Sequence, residues 1–238
     1  MWQYLAIVTI MFLLTFVALC IVVYRAGFID KILVKLGVKQ ATAKRNWAVF
    51  SWNNMLEKLN YQADIVFFGD SIIRGSDFQK NFPDQKIVNL GYSGDTLAGM
   101  IERVPMLRAL NPKKIFILAG INGLTDKNYR TSASTYGKLL NSIKEALPDA
   151  DIYIHSLLPL SLEKQKQICK NETIQAFNRL LSDLASERSI TFIDLYALYE
   201  KEGVLNPDLT VDGIHLHPHS YEPWASVLKG FVQSYHNV

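Results

Sequence analysis

The chain has 238 residues, enough for one domain with a full hydrophobic core and hardly for two. Its apolar share of 49% and charged share of 20% are ordinary for a globular protein, and a formal charge of +3 gives no compositional case for nucleic-acid binding. The two cysteines, Cys20 in an apolar run and Cys169 in a polar stretch, form neither a disulfide framework nor a Cys/His metal spacing.

From Trp2 to Tyr24 there is no charged side chain. An apolar helix of about 20 residues matches a bilayer core of about 30 Å. Trp2, Tyr4 and Tyr24 stand near its ends, where amphipathic rings favour the membrane interface. A cleaved signal peptide fits less well, because there is no basic n-region, the run is too long and no A-x-A site follows. A lipoprotein anchor at Cys20 would need a small residue where Leu19 stands. The expectation is a single-pass transmembrane anchor over residues 1–24, followed by a basic amphipathic juxtamembrane linker over 25–60. In that linker Phe28, Ile29, Ile32, Leu33 and Leu36 share a helical face opposite Lys31, Lys35 and Lys39. The stretch 28–39 suits a helix lying on an anionic membrane surface, and equally a linker helix packed on the domain. All these basic residues, with Arg25, follow the anchor, which by the positive-inside rule favours a cytoplasmic domain.

Beyond the linker, β-rich runs alternate with helical patterns. Strands are predicted at Asp64–Gly69, Lys86–Leu90, Lys114–Ala119, Asp151–Ser156 and Ile190–Leu195. They are near-continuous apolar runs, as expected of parallel strands buried on both faces. Helices are predicted at Thr96–Leu110, Ser132–Leu147, Glu163–Glu187 and about His219–Tyr235, with Pro112 and Pro148 marking two stops. The alternation implies an α/β protein, a three-layer α/β/α sandwich on a mostly parallel sheet of about five strands. Residues 61–238 are expected to form a single domain of this kind. In such sheets ligands bind beyond the carboxyl ends of the strands, so chemistry-bearing residues should gather there.

Four segments meet that test. The first strand ends in Gly69-Asp70-Ser71, where Gly69 permits a tight turn and Ser71 stands at a helix start; a helix cap is the plainer role for such a serine. The second strand runs into Gly91-Tyr92-Ser93-Gly94-Asp95, whose backbone N–H groups can approach an oxyanion closely, although any βα loop shares that composition. Neither a GxGxxG nor a GxxxxGK[ST] phosphate loop is present. The third strand ends in Ala119-Gly120-Ile121-Asn122-Gly123. Asn122 there is a neutral donor suited to a developing oxyanion, or simply a turn residue. The strongest segment is Asp212-Gly213-Ile214-His215-Leu216-His217-Pro218. A carboxylate three residues before a histidine in a tight loop can hold its Nδ1–H and leave Nε2 to take a proton from a serine. Metal binding by Asp212, His215 and His217, with His155, is a competing reading that lacks an HExxH-type spacing. Together the four segments supply every role of an acyl-transfer site. The absence of a G-x-S-x-G elbow and the spacing of three argue against an α/β-hydrolase.

In this order the segments resemble those of SGNH/GDSL hydrolases, a family of serine esterases and lipases that includes platelet-activating-factor acetylhydrolase-like and carbohydrate-esterase-like members. The likeness covers nearly everything after about Asp64. It implies a flavodoxin-like SGNH fold and places the nucleophile at Ser71, the acid and base at Asp212 and His215, and oxyanion donors at Ser71, Gly94 and Asn122. Leu216, Tyr221 and Trp224 match the family's H-L…Y…W continuation. Gly123 departs from it, since Asp commonly follows this Asn; the change removes a carboxylate and keeps the donor. Anchored hydrolases of this kind often face outward, against the positive-inside reading, so the side of the membrane stays open.

The resulting expectation is a membrane-anchored carboxylic ester hydrolase acting through an acyl-enzyme on short-chain esters, such as acetyl, of a carbohydrate or lipid. No metal or cofactor is required and no nucleic acid is expected as partner. The alternatives are acyl transfer to an envelope glycan or lipid and an anchored binding domain without turnover. The segments Leu158–Ile168 and Thr125–Thr131 are expected to shape the acyl or alcohol pocket.

Overall fold

In the computed structural model residues 61–232 are described. The expected anchor, the juxtamembrane linker and the end of the last predicted helix lie outside them. Among the described residues no helix is long and apolar enough to cross a membrane.

Five parallel strands form the sheet: β1 Ile65–Gly69, β2 Ile87–Gly91, β3 Lys114–Leu118, β4 Asp151–His155 and β5 Thr191–Ile193. Their order is β2-β1-β3-β4-β5, the flavodoxin-like order expected. β1 and β3 are buried throughout, while β2 at the edge is mostly half-buried. This is why the central strands read as unbroken apolar runs.

The longer helices are α2 Leu97–Leu110, α3 Tyr129–Ala146, α5 Asn171–Glu187 and α7 Glu222–Val232; α1 Ser71–Arg74, α4 Leu162–Gln167 and α6 Tyr196–Tyr199 are short. α2 packs on α3 and α3 on α5, forming one outer layer. On the opposite face Phe67, Phe116 and Tyr153 continue a stack of rings toward His155, and Trp224 of α7 meets His155 and Phe78 edge-on. Successive strand side chains point to opposite faces, so Phe68 faces the first layer, with the Arg103 guanidinium over its ring.

The structure departs from the predicted elements in several places. The helix expected over Glu163–Glu187 is two helices, α4 and α5, separated at Ile168–Lys170. Asn171 at the break bonds the backbone N–H and carbonyl of Leu160 and the carbonyl of Gly203, while Asp126 accepts from the Lys170 N–H and the Thr173 hydroxyl. These long-range bonds override local periodicity. The strand expected over Ile190–Leu195 shortens to Thr191–Ile193, because the N–H groups of Leu195 and Tyr196 turn to Ser156 Oγ. The final helix starts as a 3₁₀ turn, Pro218–Tyr221, before α7. A small hairpin, β6 Glu200–Lys201 and β7 Val204–Leu205, is too short to leave a periodic signal.

Candidate active site

β1 lies between β2 and β3, so the loops that follow these strands are neighbours at the carboxyl edge of the sheet. Those loops carry Ser71, Gly94 and Asn122. The sequence suggests a tight turn at Gly69, but close approach is the reason for glycine here. A Cβ at Gly69 would lie 2.1 Å from the Leu118 carbonyl oxygen and 2.6 Å from Ile73 Cγ1. The cap reading of Ser71 also changes. Asp70 is the N-cap of α1, its Oδ1 accepting from the Ile72 N–H at 3.0 Å, and Ser71 is the first helical residue with its hydroxyl left for other partners.

That hydroxyl meets His215. Nε2 of His215 lies 2.9 Å from Ser71 Oγ, and Nδ1 lies 2.8 Å from Asp212 Oδ2. The other Asp212 oxygen accepts from the backbone N–H groups of His215 at 2.8 Å and Ile214 at 3.1 Å. Partial burial pushes the Asp212 carboxyl up, but the backbone and ring hydrogen bonds from His215 and the Ile214 N–H outweigh it and hold the group below its ordinary value. An ionised Asp212 fixes Nδ1 as the donor, which leaves Nε2 as the acceptor facing the serine.

The loop that presents this pair is closed by its own hydrogen bonds. The His215 carbonyl accepts from Val211 N–H at 2.8 Å and from Thr210 Oγ1 at 2.7 Å, and Thr210 Oγ1 in turn accepts from Gly213 N–H at 2.9 Å. Gly213 has φ of 86°, and a Cβ there would lie 2.2 Å from Ser161 Oγ. The Gly213 carbonyl accepts from Ser161 N–H at 3.0 Å. Gly213 is therefore required both by its left-handed backbone and by the seat it takes against the β4–α4 segment. From the far side Tyr221 donates its hydroxyl to the Ile72 carbonyl at 2.7 Å, tying the chain after the loop to α1.

Asn122 donates through Nδ2 to the Asp95 carbonyl at 2.9 Å, which links the rim of β3 to the residue after Gly94. It also takes part in a turn, with Leu124 N–H donating to the Ile121 carbonyl. Next to the site an apolar pocket is lined by Ile72, Ile121, Leu158, Leu160 and Ile214 among others, with room for about one methyl- or water-sized group. The expected pocket segments divide here. Leu158–Leu160 line this pocket, whereas Thr125–Asn128 forms a turn against α5, with Thr125 N–H bonded to Asn128 Oδ1.

Ser71, His215 and Asp212 come together; His155 does not join them. It is buried in the core, its Nδ1 toward the Ile117 carbonyl and its Nε2 accepting from Trp224, and burial pushes its pKa down to about 3. Among the described residues no group of three His, Cys, Asp or Glu side chains is placed to hold a metal ion. His217 and His219 stack on each other at the start of the 3₁₀ turn.

Sequence reasoning missed Asp70 and the pair Asp95–Arg103. Asp70 is fully buried beside Ser71 and its Oδ2 has no hydrogen-bond partner. Burial, helped by the charge of Asp95, pushes its pKa up to about 7 against the Ile72 N–H bond. Arg103 left a signal in the sequence: with Met100, Val104 and Leu107 it falls on the buried stripe of α2, where a charge needs a partner.

A family model for GDSL-like lipases and acylhydrolases matches residues 67–222, a span that holds every one of these residues. The chain belongs to the GDSL-like lipase/acylhydrolase family. The members that the family is named for are lipases and acylhydrolases. Among solved structures it is similar to a Streptococcus pneumonia protein named for platelet activating factor, at 24% identity and TM-score 0.69, covering 88% of this chain and 98% of that one. It is similar also to a GDSL-like lipase from Bacteroides thetaiotaomicron, at 20% identity and TM-score 0.64 over 78% and 97% of the two chains. An acetyl xylan esterase matches at 17% identity and TM-score 0.59 over 71% and 98%. At these identities the likeness is one of fold. An N-acylneuraminate cytidylyltransferase of Streptococcus agalactiae is 25% identical over 157 residues, 66% of this chain. The chain spans only 35% of that relative's length.

Proposed function

We propose that the protein is a membrane-anchored serine esterase that removes short acyl groups, acetyl foremost, from a carbohydrate or lipid through an acyl-enzyme. The observation that carries this reading is the continuous chain from Asp212 through His215 to Ser71, with links of 2.8 and 2.9 Å, at the carboxyl end of β1. His215 takes the hydroxyl proton through Nε2 as Ser71 Oγ attacks the ester carbonyl, and Asp212 stabilises the imidazolium that forms. The backbone N–H groups of Ser71 and Gly94 and the amide of Asn122 serve as oxyanion donors. The alcohol leaves with the proton from His215, and water attacks the acyl-enzyme with His215 again as base.

The small apolar pocket supports a short acyl chain, and similarity in fold to an acetyl xylan esterase is in keeping with a carbohydrate alcohol. The side chains of His215 and Asp212 are 44% and 42% exposed, so water reaches the base, which favours hydrolysis over transfer to another alcohol. Anchoring rests on the uncharged stretch 2–24.

The test is hydrolysis of nitrophenyl acetate and butyrate by wild type and Ser71→Ala, with fluorophosphonate labelling of both. The expected result is labelling of wild type alone and loss of nearly all hydrolysis in the variant. Equal turnover by Ser71→Ala would overturn the mechanism. Equal turnover of acetate and butyrate by the wild type would overturn the short-chain preference.

A further inference from the structure

The oxyanion donors stand on three separate loops, and a hole for an oxyanion works only if its donors keep their positions to a fraction of an ångström. One buried side chain touches what holds all three. Arg103, on α2 and only 8% exposed, donates through Nε to Asp95 Oδ2 at 2.8 Å and through Nη2 to the same oxygen. Nη1 donates to the Leu90 carbonyl at 2.9 Å, and Nη2 reaches the Gly69 carbonyl at 3.2 Å. Its plane lies over the Phe68 ring, 4.7 Å from the centroid.

Each grip lies close to a donor. Gly69 is two residues before Ser71, whose N–H is the first donor. Leu90 is at the end of β2, and Asp95 follows Gly94, whose N–H is the second. The Asp95 carbonyl accepts from Asn122 Nδ2, the third donor. Asp95 is itself fixed at both ends, its Oδ1 accepting from Thr96 N–H at 3.0 Å and its own N–H donating to the Tyr92 carbonyl.

We propose that Arg103 is a positioning residue for ester hydrolysis: its guanidinium, bonded to Gly69, Leu90 and Asp95, holds the three oxyanion donors in register without touching substrate. A planar fork with five N–H donors can satisfy a carboxylate and two carbonyls at once; the single ammonium of lysine, a point charge, cannot keep that arrangement. The inference rests on the proposed roles of Ser71, Gly94 and Asn122.

Arg103→Lys keeps the charge and loses the fork. The expected result is a fall in kcat of roughly 10–100-fold with KM within about twofold, because the loss falls on the transition state. Removing Arg103 outright leaves Asp95 buried and unpaired, so Arg103→Met is made together with Asp95→Asn, which removes both charges. Thermal melts establish that each protein is folded.

A structural role alone would lower stability without this kinetic split, and a double-mutant cycle separates the two. If Arg103 acts through the donors, Arg103→Lys costs much less in an Asn122→Ala background than in wild type. A folded Arg103→Lys, or a folded double variant, with wild-type kcat overturns the proposal, as does strict additivity with Asn122→Ala. Wild type that hydrolyses esters independently of Ser71 overturns the underlying mechanism instead, so the two failures are distinguishable.

Discussion

The hydrogen bonds that orient His215 come from its own loop, from Thr210, Val211 and Asp212, and the side chains of the Asp212–His215 pair are about two-fifths exposed. On the donor side of the site the order is reversed. Asn122 is held by a residue 27 positions earlier, and that residue is held by a guanidinium buried beneath the sheet's edge. The half around Asp212 and His215, to which the proposed function gives the acid–base role, is thus local and wet; the half around Asn122, to which it gives the donor role, is long-range and dry. Substitutions in the first should touch chemistry and spare stability. Substitutions in the second should touch both, since a buried charged network is costly to leave half-satisfied.

Asp212→Asn tests the local half and has the largest expected effect. The variant keeps an oxygen for the backbone N–H groups of Ile214 and His215 but offers His215 the wrong partner for its tautomer. A fall in kcat of about 10⁴-fold is expected, with little change in melting temperature. A loss of several degrees would show that the Asp212–His215 pair carries stability as well as chemistry.

Asn122→Ala addresses the donor half. Removing one oxyanion donor costs about 10²–10³ in kcat. It also removes the tie to the Asp95 carbonyl, so a lower melting temperature should accompany it. Measured turnover within twofold of wild type would exclude Asn122 as a donor.

The smallest effect concerns Asp70, between the two halves. Its folded pKa of about 7 lies above the ordinary 3.8, so the folded state favours the protonated form. Its contribution to stability is complete below pH 4 and is lost as pH rises toward 7. Asp70→Asn removes that dependence. Chemical denaturation of wild type and variant at pH 5 and pH 8 should show the difference shifting in the variant's favour at pH 8; a constant difference would refute the assignment.

The same contrast governs what could be read from the residues. The central strands announced themselves as apolar runs, and the Asp-Gly-Ile-His spacing carried its geometry in three positions, so β1, β3 and the hydrogen bond between Asp212 and His215 were legible. The break between α4 and α5 was not, because it depends on Asn171 meeting Leu160 and Gly203, contacts that exist only once the chain has folded. Arg103 lay between these cases. Its place on an apolar stripe marked it as buried, but its partners at Gly69, Leu90 and Asp95 are scattered over three elements. Asp70 was hidden by the serine beside it, which invited the cap role that the aspartate fills.

Gly213 rests against Ser161, and Ser161 directly follows the residues that line the small apolar pocket, Leu158 to Leu160. Under the proposed function, selectivity and rate therefore share a hinge in the adaptive landscape of this protein. A variant that widens the pocket by reshaping this segment also shifts the support under His215, so changes of acyl preference should come with slower turnover until a second substitution near position 213 reseats the loop.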